Sequence, residues 1–224
     1  MNPKMIAKIG VDIGMTVALM FLMTYEMIGQ ALHEWLGIGM FLLFIIHHVL
    51  NRRWFGVLLK GKYTPFRIWQ TVLVVSVLLS MIGSMVSGAI ISRSVLSFLP
   101  IHGGNAFGRK LHMLSGYWGF VLMSLHLGLH WNMMLGVAGK AVKGTSKVRI
   151  CILRIAATVV ATYGMYAFVK RDMGNYMLLK VHFVFFDYDE PLFFFLLDYA
   201  AVMGLFIFVG HYFTLGLKQK NKLK

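Results

Sequence analysis

The chain has 224 residues, 58% of them hydrophobic and only 13% charged, with a mean hydropathy of +0.72. A soluble domain carries about 25% charged residues, so this composition points to an integral membrane protein and domain counting by length does not apply. The single cysteine, Cys151, excludes disulfide frameworks, cysteine-held iron–sulfur clusters and a CxxCH attachment motif within the chain. The net charge of +14 sits in short segments between apolar runs, which fits anionic lipid and membrane topology better than a nucleic-acid face.

A helix needs about 20 apolar residues to cross the hydrocarbon core. Six such segments are expected, at 6–30, 33–51, 67–92, 110–135, 152–169 and 191–217. The first opens "MNPKMIAKIGVDIG", basic then apolar like a signal peptide. Its length and the lack of a small-residue cleavage site make it a retained helix. "HGGNAFGRK" (102–110) is glycine-rich but follows no strand, so it reads as a loop before the fourth helix. The segment 170–190, "KRDMGNYMLLKVHFVFFDYDE", mixes aromatic and charged residues and is expected to hold a short interfacial helix. Six crossings put both termini on one side. Sixteen of the 22 Lys and Arg residues fall on that side or its helix ends against six on the other, so the termini are read as cytoplasmic.

Polar residues inside these runs need partners or tasks. His33 and His47 in the second segment are fourteen residues apart, as are His112 and His126 in the fourth. Fourteen residues make about four turns, so each pair shares a helix face with Cα atoms about 21 Å apart along the axis. The two segments run in the same direction, with His33 and His112 at the outer level and His47 and His126 at the inner. If the helices face each other, two stacked His–His pairs result. Haem held between bundle helices with an imidazole on each side satisfies that arrangement. The alternative is a set of unrelated packing histidines, and the duplicated spacing weighs against it. Gly37, Gly39, Gly116 and Gly119 lie between the paired histidines and offer flat helix surface beside a macrocycle, although glycine is common at any transmembrane helix contact. The expected fold is therefore an all-α membrane bundle of six transmembrane helices. Residues 1–135 form its four-helix di-haem core, and 136–224 supply two further helices, an outer loop and a basic tail.

With these residues in view, the sequence resembles the di-haem b-type membrane cytochromes. That group includes the cytochrome b core of quinol-oxidising complexes, the membrane subunits of formate dehydrogenases and hydrogenases, and ferric-reductase-like proteins. "HEWLG…HHVLNRRWF" and "LHMLSGYWGFVLMSLHLGLHW" are similar to a bacterial membrane family known as domain of unknown function 4405. The resemblance covers about residues 6–135. It implies two haem b groups ligated by His33, His47, His112 and His126, electron transfer linked to quinone, possession of a redox partner, and residence in the bacterial cytoplasmic membrane. Ferric reductases also carry a flavin and nicotinamide domain, whereas this sequence ends at "KQKNKLK".

Other polar residues have two readings each. His48 and His130 adjoin the inner level as alternative ligands, propionate partners or lining of a quinone pocket; with His211, near the inner end of the sixth segment, they make either a small metal site or a set of unrelated polar-end residues. Arg52 and Arg53 at the inner end, and Arg93, Arg109 and Lys110 at the outer end, suit haem propionates or simple topological anchoring. Glu26, Glu34, Tyr25 and His102 are placed to handle quinol protons near the outer site, or to form a polar interface. Asp198 is an intramembrane carboxylate and thus a functional candidate, while Asp12 caps or snorkels near the inner interface. The methionines lack a repeated ligand pattern and read as packing. Two other functions remain open: superoxide or ferric-ion exchange at a haem edge, and a non-redox metal or proton transporter or membrane scaffold.

Overall fold

The structure, a computed structural model, describes residues 3–101, 103–141 and 146–220. Its elements are α1 (Pro3–Leu22), α2 (Tyr25–Ile28), α3 (Gln30–Leu50), α4 (Arg53–Val57), α5 (Pro65–Ile91), α6 (Asn105–Ala141), α7 (Lys147–Lys170), α8 (Met173–Met177) and α9 (Leu192–Lys220). No strand occurs among the described residues. Six helices, α1, α3, α5, α6, α7 and α9, are long and apolar enough to cross a membrane.

Helix ends follow local chemistry rather than hydropathy alone. The segment expected as one helix over 6–30 stops at Leu22. Thr24 donates its hydroxyl to the Phe21 carbonyl at 2.7 Å, and Gly29 takes φ +80° before α3 begins. That positive φ costs glycine nothing and turns the chain back from α2 into α3. α5 starts one residue after Thr64, whose side chain caps the Arg67 amide, with Pro65 in the first turn. α6 extends well beyond the expected 110–135. At 37 residues it is about 55 Å long, longer than a hydrocarbon core of about 30 Å. The short helix expected within 170–190 is α8.

The helices pack as an α1–α3 hairpin against a layer of α5, α6, α9 and α7. α5 and α6 are antiparallel and close. A Cβ at Gly83 would sit 3.2 Å from Ser115, and one at Gly108 would sit 2.8 Å from Ile91. α6 and α9 run parallel and cross where Gly128 faces Ile207 and His211, and where Gly210 faces the Leu125 carbonyl. α7 meets α9 through Gly164 and Gly204. Small residues let backbones approach, which replaces the missing hydrophobic drive between helices in lipid. The core runs through Met15, Met40, Met81, Phe120, Tyr199 and Val202. α9 thus contributes to the same core as the first four spans, and packing is continuous across residue 135.

Gly210→Ala is expected to force α6 and α9 apart, because the new Cβ would lie 2.6 Å from the Leu125 carbonyl oxygen. Overpacking of this kind costs about 1–3 kcal/mol. Gly10→Ala, where a Cβ meets nothing within 4 Å, should leave the midpoint of detergent-based unfolding unchanged or slightly raised. Equal midpoints for the two variants would contradict the crossing.

Candidate functional site

At the level that the loop charges mark as outer, the structure brings His33 and His112 together. His33 lies in the first turn of α3, which Gly29 sets in place, and its amide bonds the Gly29 carbonyl at 3.1 Å. Its ring is 5.9 Å, centroid to centroid, from that of His112 and 5.1 Å from that of Tyr25. The His112 ring lies against α5. Nδ1 is 3.1 Å from the Ser84 carbonyl oxygen and 3.1 Å from the Ser87 hydroxyl. A carbonyl only accepts, so Nδ1 carries the proton and Nε2 keeps its lone pair. Gly88 leaves the room for this, since a Cβ there would touch the ring at 3.4 Å. His33 Nδ1 is buried without a hydrogen bond, and the Leu22 carbonyl is the backbone group beside the ring. A buried ring nitrogen without a partner asks for an explanation.

The inner level is arranged differently. His47 Nδ1 is 2.8 Å from Asp12 Oδ1, whereas His48 Nδ1 donates to the Phe44 carbonyl one turn back at 2.8 Å. The His48 ring lies between Phe44 and Phe55. His126 packs edge-on against His130, with centroids 4.9 Å apart, and its Nδ1 is buried without a partner. His47 and Asp12 lie within electrostatic reach of both His126 and His130. His47 and His126 make no ring contact among the described residues. The inner four are therefore a loose cluster rather than a closed pair.

α3 and α6 do not pack along one another; their histidine rings bridge the space between them. Gly37 follows His33 by four residues, and Gly116 follows His112 by four. A Cβ at either, or at Gly39, meets nothing within 4 Å. Gly119 instead faces α5, 3.5 Å from the Ser80 side chain, so it belongs to helix packing. Arg52, Arg53 and Arg109 are exposed, and their guanidinium groups make no hydrogen bond or ion pair to the described residues.

The carboxylates are placed unevenly. Glu34 accepts from the Ser92 hydroxyl (2.7 Å), the Arg93, Ser94 and Val95 amides (3.1, 3.2 and 2.6 Å) and the Gln30 side chain (2.9 Å). It staples the turn after α5 to the start of α3, and a carboxylate so saturated with donors is a poor proton acceptor. Glu34→Gln should loosen that turn, raising amide exchange at Ser94 and Val95 about tenfold or more, since a neutral amide oxygen holds donors about half as strongly. Unchanged exchange there would contradict the staple. Glu26 receives the Tyr188 hydroxyl at 3.3 Å, and its charge pushes the Tyr188 phenol above the usual range. His102 lies outside the described residues.

Sequence reasoning missed two features. One is Asp12 as the partner of His47. The other is a charge cluster at the outer end, where Asp198 accepts from Tyr163 (2.6 Å), Lys170 (2.8 Å) and Arg171 (2.8 Å), while Arg171 also grips Glu190 through two bonds. The available signal was position: a carboxylate well inside an apolar span must have a partner. His48, His130 and His211 do not gather, and among the described residues no three His, Cys, Asp or Glu side chains converge to hold a metal ion.

No family model, curated protein or solved structure matches the chain.

Proposed function

We propose that this protein is a transmembrane electron carrier that holds two haem b groups between α3 and α6 and exchanges electrons with a quinol. The observation that carries this reading is the outer His33–His112 pair. Imidazole nitrogens bind first-row metals at about 2 Å, so two rings sharing one metal stand with centroids about 6 Å apart; here the separation is 5.9 Å. The Ser84 carbonyl orients His112 as backbone acceptors orient metal-binding imidazoles. Open surface at Gly37 and Gly116, each one turn from an outer ligand, suits a flat macrocycle. His47 and His126 are the corresponding inner residues, with His48 and His130 as their rivals. Arg109 at the outer end, and Arg52 and Arg53 at the inner, have guanidinium groups available for propionates. Bound haem would supply reversible one-electron chemistry whose potential the ligands and burial set.

Quinol oxidation also releases protons. Glu26, with Tyr188 beside it, is better placed to accept them than Glu34, whose oxygens are already occupied. The charge bias of the loops supports cytoplasmic termini.

In proteoliposomes, a reduced menaquinone or ubiquinone analogue is expected to reduce the bound haem. Glu26→Gln should slow that step about a hundredfold, the lower end for loss of a general base, with haem content unchanged. Rapid reduction by superoxide with no response to any quinol would replace this reading with small-oxidant or ferric-ion exchange at a haem edge. Protein that binds no haem would favour a proton transporter or scaffold.

A further inference from the structure

Asp12 lies near the middle of α1, within an apolar span, and its side-chain partner is His47. The contact is built by helix packing. α1 and α3 run antiparallel and are joined by two polar rungs four residues apart on each helix: Lys8 Nζ donates to Asn51 Oδ1 at 2.8 Å, and Asp12 Oδ1 meets His47 Nδ1 at 2.8 Å. Beyond them a Cβ at Gly14 would touch Leu43 at 3.4 Å, so the register is fixed on both sides of Asp12. Asn51 also donates to the His47 carbonyl at 2.9 Å. With Nδ1 held by a carboxylate, Nε2 is the His47 nitrogen left to coordinate. His48 Nδ1 bonds the Phe44 carbonyl of its own helix, which leaves its Nε2 equally free, but its ring lies against Phe55 of α4 and has no carboxylate partner among the described residues. At the outer level the His112 Nδ1 has only neutral partners, the Ser84 carbonyl and the Ser87 hydroxyl.

Resting on the haem reading above, we infer that Asp12 is the positioning residue of the inner site: it selects His47 over His48 and gives the inner ligand more anionic character than the outer one. A carboxylate on the distal nitrogen raises ligand basicity, and a more basic ligand favours the oxidised metal. The inner site is accordingly the lower-potential of the two.

The test is a redox titration of the purified haem-loaded protein, followed by absorbance. Asp12→Asn should raise one potential by about 59 mV, a tenfold change for one electron, and leave the other unmoved. The potential that moves should be the one that His47→Ala deletes. Asp12→Glu should restore it, and His48→Ala should keep both haems. Unmoved potentials in Asp12→Asn, a shift in the haem deleted by His33→Ala, or loss of the inner haem in His48→Ala would each overturn the inference. A second readout is independent of haem. Nitrogen-15 spectra of histidine-labelled, haem-free protein should place the His47 proton on Nδ1, and Asp12→Leu, which offers no acceptor, should redistribute it. An unchanged His47 tautomer overturns the role of Asp12 by itself, whereas wild-type protein that takes up no haem overturns the functional reading beneath it.

Discussion

Replacing either His33 or His112 with alanine is expected to remove one haem of two, and the same one in both variants. The two rings come from different helices yet stand 5.9 Å apart, and α3 and α6 are not otherwise packed together. Loss of either ring therefore opens the same site from one side. The retained partner cannot substitute, because the Ser84 carbonyl and Ser87 hydroxyl fix His112 while the turn at Gly29 fixes the start of α3. Pyridine haemochrome analysis should fall from about two haems per chain to about one. The surviving haem should have the same spectrum and potential in both variants. His182→Ala, in the exposed outer segment, serves as control and should keep both. Variants that retain different haems would show that His33 and His112 serve separate sites.

The second large effect is on stability. Asp198 is almost fully buried and holds Lys170, Arg171 and Tyr163 around one carboxylate. Asp198→Ala leaves the cation of Arg171, 13% exposed, with Glu190 alone, and strips the partly exposed Lys170 of its nearest acceptor. Breaking a buried pair by deleting one partner costs about 3–5 kcal/mol; the partial exposure of Lys170 places this case near the low end, at about 3 kcal/mol. Asp198→Asn should recover part of the loss, because its oxygen still accepts from Tyr163 or Lys170. The measurement is the unfolding midpoint in detergent, with haem content followed in parallel. A midpoint within about 0.5 kcal/mol of wild type, the range of ordinary surface substitutions, would show that the cluster does not hold α7 to α9.

The six spans were legible because an apolar run long enough to cross lipid is a property of composition alone. Their ends were less so. α6 continues through Asn105, Arg109 and beyond Leu135, since backbone hydrogen bonding does not stop where hydrophobicity does. The first span ended early at Leu22 because Thr24 and Gly29 set a turn inside an apolar window. The outer histidine pair could be read from spacing, as single histidines mark that level on each helix. The inner level could not, because His47 and His48 are adjacent in sequence and His126 and His130 are one turn apart. What distinguishes them is Asp12, and that contact depends on α1 lying against α3, which no periodicity within one helix encodes. Likewise, Asp198 was visible as a buried charge, but Lys170 and Arg171 became its partners only through the packing of α7 on α9.

Whether α3 and α6 together hold two haem groups, as proposed, is tested most directly by absorption spectroscopy of the purified protein, oxidised and then dithionite-reduced, with haem counted by the pyridine haemochrome assay. The expected result is a b-type spectrum from about two non-covalently bound haems per chain, extractable into acidified acetone because no CxxC is available for thioether bonds. A protein that stays colourless after expression with ample haem would contradict it.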